Sequence, residues 1–475
     1  MDFSFEEEFR SAAFGDSRLN KRAWTFANGA LRHPECSIPK MAGSPGGAEG
    51  LYRFIANDRV TVDNISQPHG NHALERCEAS GPVLVLHDST TFGYGKDTKR
   101  LGLGEIAGGG VGFQTHVSLA VAEDSRRPLG VLKHTSHSRP PADKGAAGKA
   151  KKRNRKSQAD ADNESLRWAE HAIATGKLLG SVPHVHVADR ESDDYKYLAM
   201  LHEADELFVT RVSTNRVLGK GEKLFTKMDD LTVFLCREVQ LSRRGQAPSP
   251  KQRKTNPARD ARMAKLEVSA GTLELPRTSR APRTCAQSLQ LNFVLVREIE
   301  MAHGEEPVTW RLVTNLPVST AEEIARVVDI YRIRWMIEEF FKALKTGCSF
   351  NDHQLESYDA LTKLLALLLP VAWKMLDIRT VARTEPEAPA TLVLTARQIA
   401  FLRVLYAKQH PKLSLPTMPT VKQAVYALAA LGGHFKQNGD PGWQTLGHGL
   451  QRLLQAEEDA MALFEQVQHM KLNTK

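Results

Sequence analysis

The chain lacks the cysteine patterns that build disulfide frameworks or cysteine-based zinc sites. Among its 475 residues are five cysteines, an odd number, and no two of them form a C-x-x-C pair. They are scattered at Cys36, Cys77, Cys236, Cys285 and Cys348. Such spacing supports neither a disulfide scaffold nor a zinc ribbon, so we expect five reduced thiols.

Long hydrophobic runs are also missing. No apolar stretch approaches the roughly 18 residues that a membrane-spanning helix needs. The first ten residues, MDFSFEEEFR, are acidic where a secretory signal would be basic and then apolar. These absences predict a cytoplasmic protein without a membrane partner.

Positive charge, by contrast, is in excess. The formal net charge is +9 and the isoelectric point is about 9.2. Basic residues concentrate in KAKKRNRK at 149–156 and in the stretch 243–265, which has eight basic residues against one Asp. Both stretches have the composition of solvated loops, and basic loops of this kind gain phosphate contacts on nucleic acid. The distribution favours a polyanionic partner.

The periodicity of apolar residues divides the chain into three parts. Residues 1–70 predict a self-contained helical unit, residues 71–365 an α/β region, and residues 366–475 a second helical unit. Within the α/β region, 215–318 is rich in alternating strand patterns and reads as a β-rich insertion. The C-terminal helices are predicted at 358–380, 395–408, 420–432 and 443–470.

Two acids occupy the ends of predicted strands. GPVLVLHDS is a short apolar strand ending on Asp88, and VPHVHVADRES is another ending on Asp189. Between them lie a predicted hairpin, FQTHVSLAVAED with RPLGVLKHTSHS, and a helix, NESLRWAEHAIATGKLLG. ELFVTRVS, which carries Arg211, follows as a further strand. An isolated Asp at such a place is ordinarily a turn or capping residue.

The stretch DIYRIRWMIEEFFKALKTG predicts one amphipathic helix with a polar stripe. At about 100° per residue, Tyr331, Arg334, Glu338 and Lys345 fall within an arc of about 60°, and Lys342 joins them. Two interpretations stay open for this stripe alone. It is either a solvated face with ordinary i,i+4 ion pairs or one wall of a site that holds a metal beside phosphates. The opposite, buried side would comprise Ile333, Met336, Ile337, Phe340, Phe341 and Leu344.

Asp88, Asp189 and Glu338 together suit metal chemistry better than each does alone. Hard divalent cations such as Mg²⁺ take oxygen ligands and keep several waters, so a few carboxylates and substrate phosphates complete a site. Two such ions about 4 Å apart can activate an attacking oxygen and stabilise a leaving one.

With these residues in view, the chain resembles the bacterial insertion-sequence transposases of the IS-four family, Tn-five-like, which have a ribonuclease-H-like core and a DDE triad. The matching segments cover nearly the whole chain: FGDSRL, GLYRFI, LHDSTT, VADRESD, FVTRV, VTWRLVTNLPV, the Tyr331-x-x-Arg334-x-x-x-Glu338-x-x-x-x-x-x-Lys345 signature, LGGHF and PGWQTLGHGL. Two features depart from the family: KAKKRNRK is a longer and more basic loop, and Phe341 stands where a well-known relative has His.

The resemblance implies a fold and a domain plan. The fold class is α/β, with a ribonuclease-H-like catalytic core (a mixed sheet with flanking helices) that a β-rich insertion interrupts, between helical N- and C-terminal domains. It implies a DNA end-binding domain at 1–70, a catalytic core at 71–365 and a dimerisation domain at 366–475. The protein would be bacterial and nucleoid-associated when bound to DNA.

The resemblance also implies residue roles. Asp88, Asp189 and Glu338 would be catalytic and would bind two Mg²⁺ ions, for which Mn²⁺ substitutes. DNA contacts would come from Tyr331, Arg334, Lys345, Lys342, Arg211, Trp310, Arg18, Arg22 and Arg53, with Trp310 handling an extruded base. The partners would be double-stranded DNA, as transposon ends and target, and a second copy of the chain in a paired-end complex that cleaves in trans.

Two other functions remain as alternatives. A transposase-derived regulator would bind transposon ends without cleaving them, and it predicts a damaged triad or a missing N-terminal domain. A structure-selective nuclease on the same core would not need the Tyr-Arg-Glu-Lys helix, the end-binding unit or the C-terminal region. The intact acids and the basic N-terminal unit favour the transposase.

Overall fold

The computed structural model of the protein describes residues 5–95, 98–106, 109–139, 164–241, 243, 245, 258–300, 307–435 and 439–473. The predicted loop KAKKRNRK at 149–156 lies outside these residues, as does most of the second basic stretch.

Helices open the chain, as predicted. They are α1 (Glu6–Phe9), α2 (Ser17–Arg32), α3 (Ile38–Met41), α4 (Pro45–Ile55) and α5 (Val62–Ser80). Helix α2 begins after Asp16, whose side chain accepts a hydrogen bond from the amide of Arg18, and α4 begins after Ser44, which caps the amide of Gly47. Helix α5 continues past the predicted boundary at residue 70.

Ten strands in the described part of the chain form one mixed sheet. They are β1 (Val83–Gly93), β2 (Gly104–Ile106), β3 (Gly110–Ala122), β4 (Pro128–His137), β5 (His184–Ala188), β6 (Phe208–Arg211), β7 (Thr232–Leu241), β8 (Arg262–Pro276), β9 (Ser288–Ile299) and β10 (Thr309–Thr314). The strand order is β2-β3-β1-β5-β6-β10-β9-β8-β7, and β4 pairs with β3 outside that path.

The central strands have the connections of a ribonuclease-H-like fold. Strands β3 and β4 form the predicted antiparallel hairpin, and β3 also pairs antiparallel with β1. Strands β1, β5 and β6 are parallel neighbours. Helix α6 (Glu164–Leu179) precedes β5, and α7 (Tyr195–Glu203) joins β5 to β6. Parallel neighbours require a crossover connection of about a dozen residues or more, ordinarily through a helix.

The strand-rich segment 215–318 extends this sheet instead of building one of its own. Its strands β7 to β10 continue antiparallel from the edge of β6, with the short helix α8 (Leu224–Asp229) before β7. The sequence analysis therefore identified the strands, and the sheet order shows where they attach.

Strand β1 does not end on Asp88, in contrast to the prediction. It runs on to Gly93 because its antiparallel partner β3 stays in register as far as the pair Gly93 with Gly112. Its parallel partner β5 stops earlier, at Ala188 opposite His87. Asp88 thus lies where one neighbour ends and the other continues.

The stretch predicted as one amphipathic helix is two helices followed by a wider turn. Helix α9 (Ala321–Ile333) and helix α10 (Trp335–Lys342) meet at Arg334, whose amide bonds to the carbonyl of Tyr331 in a tightened turn. A single π-helical turn, Ala343–Gly347, follows α10. Tyr331 is buried at 6% exposure, so it does not belong to a solvent-facing stripe.

The C-terminal helices match their predicted positions. They are α11 (Tyr358–Thr384), α12 (Ala396–Gln409), α13 (Val421–Leu431) and α14 (Trp443–Asn473). Helix α11 is buried along most of its length. No helix in the described residues is both long enough and apolar enough to cross a membrane.

The N-terminal helices are not a self-contained unit. Helix α2 packs against α11 and α14, and α4 packs against α11. The buried ammonium of Lys363 on α11 donates a hydrogen bond to the carbonyl of Ile55, at 3.0 Å. One apolar cluster includes side chains of α2, α4, β1, β5, α9, α10, α11 and α14. A separate cluster lies around α7 and β9.

Candidate active site

Asp88 and Asp189 lie side by side at neighbouring parallel strands. His87 of β1 is in register with Ala188 of β5, and each acid is the next residue of its chain. Because side chains alternate between the two faces of a strand, each acid falls on the face of the apolar residue two positions earlier. On β5 that residue is Val187, which belongs to the same apolar cluster as α10. The sheet therefore presents both acids to α10.

The two carboxylates are held by local hydrogen bonds. Asp88 Oδ1 accepts from the amide of Ser89 at 2.8 Å. Asp189 Oδ1 accepts from the amide of Glu191 at 2.7 Å and caps the short turn Arg190–Ser192. Their positions follow from the backbone, so they are set before any ligand binds.

Negative charge is crowded at Asp88. The pKa of Asp88 is raised to about 7, first by burial and then by the nearby charge of Asp189, while the guanidinium of Arg334 opposes both. Glu338 adds a smaller effect in the raising direction. A carboxyl group with so high a pKa beside other acids is typical of a site that a cation neutralises.

Arg334 joins the sheet acid to the helix acid. Its Nη1 lies 3.4 Å from Asp88 Oδ2 and its Nη2 lies 2.5 Å from Glu338 Oε1. Arg334 is mostly buried, whereas the Glu338 side chain is 31% exposed. One guanidinium thus spans two of the three predicted acids, and the cluster opens to solvent at Glu338.

The donor set fits a hard divalent cation. Asp88, Asp189 and Glu338 offer only carboxylate oxygens, which Mg²⁺ and Mn²⁺ prefer. The raised pKa of Asp88 is an independent observation in the same direction, since a bound cation would relieve the crowding that causes it.

Tyr331, Arg211 and Trp310 form the adjoining wall. Burial raises the pKa of Tyr331, while the charges of Arg334 and Arg211 beside it act in the opposite direction. The indole of Trp310 meets the Tyr331 ring edge-on, with 5.5 Å between ring centroids. Arg211 ends β6 opposite Leu312 of β10, the strand that also carries Trp310. The predicted residues are therefore neighbours.

The two predicted lysines differ in position. Lys345, on the π-helical turn, is half-buried with its Nζ 5.3 Å from the Phe92 ring centroid; burial lowers the pKa of Lys345, and the charge of Asp88 opposes that. Lys342 instead pairs with Glu339 at 2.8 Å and lies over the ring of Trp335. Lys345 therefore lies near the acid cluster, whereas Lys342 forms a separate ion pair with Glu339.

The three N-terminal arginines have different surroundings. Arg18 is 87% exposed and pairs with Asp16, and Arg53 is 75% exposed and pairs with Glu49. Arg22 donates to the carbonyl of Gly50 at 2.8 Å, and a Cβ at that glycine would approach the guanidinium to 2.7 Å. Arg22 thus holds α2 against α4, while Arg18 and Arg53 reach solvent.

A second polar cluster was missed by the sequence analysis. His184, His186 and Glu206 offer ligand atoms that all lie within 4.8 Å of one another. The H-x-H spacing on a strand puts both imidazoles on one face and is a signal in the sequence. Glu206 follows α7 in the sequence and comes close to the two histidines only when the chain is folded.

Two family models match the chain. Residues 2–60 match one described as transposase DNA-binding, a segment that includes Arg18, Arg22 and Arg53. Residues 80–372 match one described as transposase DDE domain, and that segment carries Asp88 and the other two acids of the cluster. Since the second match spans more than half of the chain, the protein belongs to the DDE transposase family.

Proposed function

We propose that this protein is a cut-and-paste DNA transposase of the IS-four, Tn-five-like kind. It would bind transposon terminal repeats, cleave them by metal-dependent hydrolysis through a hairpin intermediate, and join the 3′ ends to target DNA. The observation that carries this proposal is the convergence of Asp88, Asp189 and Glu338 with Arg334 and Tyr331, five residues from three separate parts of the fold.

Asp88, Asp189 and Glu338 would hold two Mg²⁺ ions per active site, with Mn²⁺ as a substitute. When bound, such ions activate a water or a 3′-hydroxyl and stabilise the leaving oxygen. Asp88 and Asp189 would also orient the scissile phosphate, since the backbone amides that hold them leave little freedom to the ligand.

Arg334 would change partners during the reaction. In the structure it neutralises Asp88 and Glu338. With these acids neutralised by bound ions, the guanidinium would become available to a phosphate, for which its planar fork is well suited. Lys345 and Tyr331 would hold neighbouring phosphates of the transposon end.

Aromatic and basic residues would handle the rest of the DNA. Trp310, beside Tyr331, would stack on an extruded base, and Arg211 would contact the backbone nearby. Arg18, Arg22 and Arg53 would read the terminal repeat, and Lys342 would contact a phosphate outside the acid cluster. We assign residues 1–70 to end binding, 71–365 to catalysis, with 215–318 inserted, and 366–475 to dimerisation.

The C-terminal helix supports a dimer in the paired-end complex. Helix α14 exposes Met461, Leu463 and Phe464 to solvent, at 38%, 61% and 59%. Exposed apolar residues grouped on one helix mark an interaction surface. The protein would act on the bacterial nucleoid, in the cytoplasm.

A labelled duplex that carries the inverted repeat beside the gene tests the proposal. Wild-type protein with Mg²⁺ should nick the repeat end and then give hairpin and double-strand-break products on a denaturing gel. The variant Asp189→Ala should give none of them, because one of three metal ligands is lost. Its gel shift should remain, because the end-binding helices are unchanged.

Two results would contradict this proposal. A wild-type gel shift without cleavage in Mg²⁺ or Mn²⁺ would favour the alternative, a regulator that binds ends and blocks transposition. Cleavage of branched DNA without preference for the repeat would favour a structure-selective nuclease. The intact acid cluster is the feature that argues against the regulator.

A further inference from the structure

We propose that His184, His186 and Glu206 form a second metal site, built for a borderline transition-metal ion, with Zn²⁺ as its occupant. The site lies on the face of the sheet opposite Asp88 and Asp189, because His184 and His186 alternate with Val185 and Val187 along β5. It is independent of the acids assigned to catalysis.

The ligand atoms are already gathered around one point. Glu206 Oε2 lies 2.8 Å from Nε2 of His184 and 3.2 Å from Nε2 of His186. Two imidazoles and one carboxylate are a donor set that Zn²⁺ accepts, with a fourth position left for water. His186 is fully buried, whereas His184 and Glu206 are 11% and 12% exposed, so that position faces the solvent boundary.

The ring of His184 is oriented by its other nitrogen. Nδ1 of His184 lies 2.7 Å from the carbonyl oxygen of Val182, which can only accept a hydrogen bond. Nδ1 therefore carries a proton, and Nε2, which faces Glu206, is the nitrogen that would bind the ion in place of its own proton. A metal-ligating histidine ordinarily has this arrangement, with its second nitrogen donating to a carbonyl.

A chain of hydrogen bonds fixes His186 in the same way. Nδ1 of His186 lies 2.8 Å from Nε2 of His87, Nδ1 of His87 lies 3.0 Å from Ser118 Oγ, and that oxygen lies 3.2 Å from Thr175 Oγ1. The chain ends where Thr175 Oγ1 donates to the carbonyl of His171, at 2.8 Å.

The carbonyl of His171 decides which atom donates in every hydrogen bond of this series. Since Thr175 donates to it, Ser118 donates to Thr175, His87 donates from Nδ1 to Ser118, and His186 donates from Nδ1 to His87. Nδ1 is then the donor of both rings, and Nε2 of His186 is left facing Glu206 as the nitrogen available to an ion. The reverse direction would place two hydroxyl oxygens together without a proton between them.

Helix α6 packs closely against the carboxylate of Glu206 at Gly176. A Cβ at Gly176 would lie 2.0 Å from Glu206 Oε1, so only glycine lets the helix backbone approach this carboxylate. The ion would link β5 to Glu206, in the segment before β6. Through the hydrogen bond between His186 and His87 it would also link β5 to β1. We infer that it fixes the register that sets Asp88 beside Asp189, which is a positioning role.

The test measures zinc in the full-length protein by mass spectrometry after dialysis against a weak chelator. We expect about one Zn²⁺ per chain, as for a preformed three-ligand site. The variant Asp189→Ala should keep this ion, since its damage is confined to the acid cluster. His184→Ala should lose it, and the control His202→Ala, at an exposed position on α7, should keep it.

A second variant keeps the test informative if His184→Ala fails to fold. Gly176→Ala keeps all three ligands but displaces the Glu206 carboxylate, so it should weaken zinc binding in chelator competition by about tenfold or more. Zinc content that is equal in wild type, His184→Ala and Gly176→Ala would overturn the proposal. Wild-type protein that retains no zinc, with Co²⁺ giving no visible absorption band of a nitrogen-ligated ion, would overturn it as well.

Discussion

At the scale of single residues, Arg334 balances the charge of the acid cluster. Its guanidinium contacts both Asp88 and Glu338, and Asp88 nevertheless keeps a pKa raised by burial and by Asp189. One cation is therefore insufficient for three acids in this space. The cluster remains short of positive charge, which is the electrostatic basis of metal affinity at such a site.

This deficit makes metal binding depend on the protonation of Asp88. Burial raises the pKa of Asp88 to about 7, so below that pH a metal ion must displace a proton. Affinity for Mn²⁺ should rise about tenfold per pH unit between about pH 5.5 and 7, and then level off. Calorimetric titration at several pH values measures this, and Asp88→Asn is the control because it has no proton to displace.

The same proton affects the stability of the metal-free protein. A raised pKa means that the folded protein holds a proton which the unfolded chain has already released above its ordinary value of 3.8. The contribution of Asp88 to stability is therefore present at low pH and is lost as the pH rises towards 7. An affinity for Mn²⁺ that stays constant across this pH range would contradict both statements.

At the scale of elements, a capping box fixes the start of α9, the helix that leads through Arg334 into α10. Thr320 and Glu323 form a complete capping box: each side chain bonds to the backbone of the other. Thr320→Ala should lower the free energy of unfolding by about 1 kcal/mol, because an amide at the helix start loses its acceptor. Urea denaturation measures the change. Thr320→Ser keeps the hydroxyl and should stay near wild type; equal losses in both variants would assign the effect to packing of the methyl group.

The helices and strands were largely predictable, and their interruptions were not. A period of 3.6 identified α11 to α14, and short, largely apolar runs bounded by polar turns identified β3, β4 and β5, whose residues are mostly buried. The break at Arg334 and the π-helical turn that carries Lys345 depend on tertiary contacts, since no Pro or Gly marks the break. The continuation of β1 past Asp88 likewise depends on β3.

The acid cluster could be predicted for the same reason that the strands could. Asp88 and Asp189 each follow an apolar run of sequence, and both lie where the parallel pairing of β1 with β5 ends. Glu206 could not be predicted as a neighbour of His184, because their contact requires the pairing of β5 with β6 and the absence of a side chain at Gly176. Local sequence patterns predict single helices and strands, whereas this cluster forms only when those elements pack together.

At the scale of the whole molecule, the N-terminal helices and the part of the fold that carries the acid cluster share one interior. Side chains of α2 and α4 belong to the same apolar cluster as those of α10, α11 and α14. The sequence predicted separate units because the pattern of apolar residues changes from helical to strand-like and back along the chain. Such a pattern shows the type of each element, but it does not report which faces are covered when the elements pack.

A shared interior predicts that damage in the N-terminal helices destabilises the whole protein. Phe54 on α4 is fully buried, and its ring meets that of Phe14 edge-on at 5.3 Å. Phe54→Ala should reduce the free energy of unfolding by about 3–5 kcal/mol. Tryptophan fluorescence during denaturation should show one transition at lower denaturant, because Trp373 on α11 reports from the same cluster.

The matched control lies two residues away on the same helix. Tyr52 is 42% exposed, so Tyr52→Ala should change stability by less than about 0.5 kcal/mol. If Phe54→Ala instead produced two transitions, with that of Trp373 unchanged, the N-terminal helices would unfold alone and the interior would be divided. A single shifted transition would mean that the N-terminal helices and the acid cluster are stabilised together, so that unfolding of one accompanies unfolding of the other.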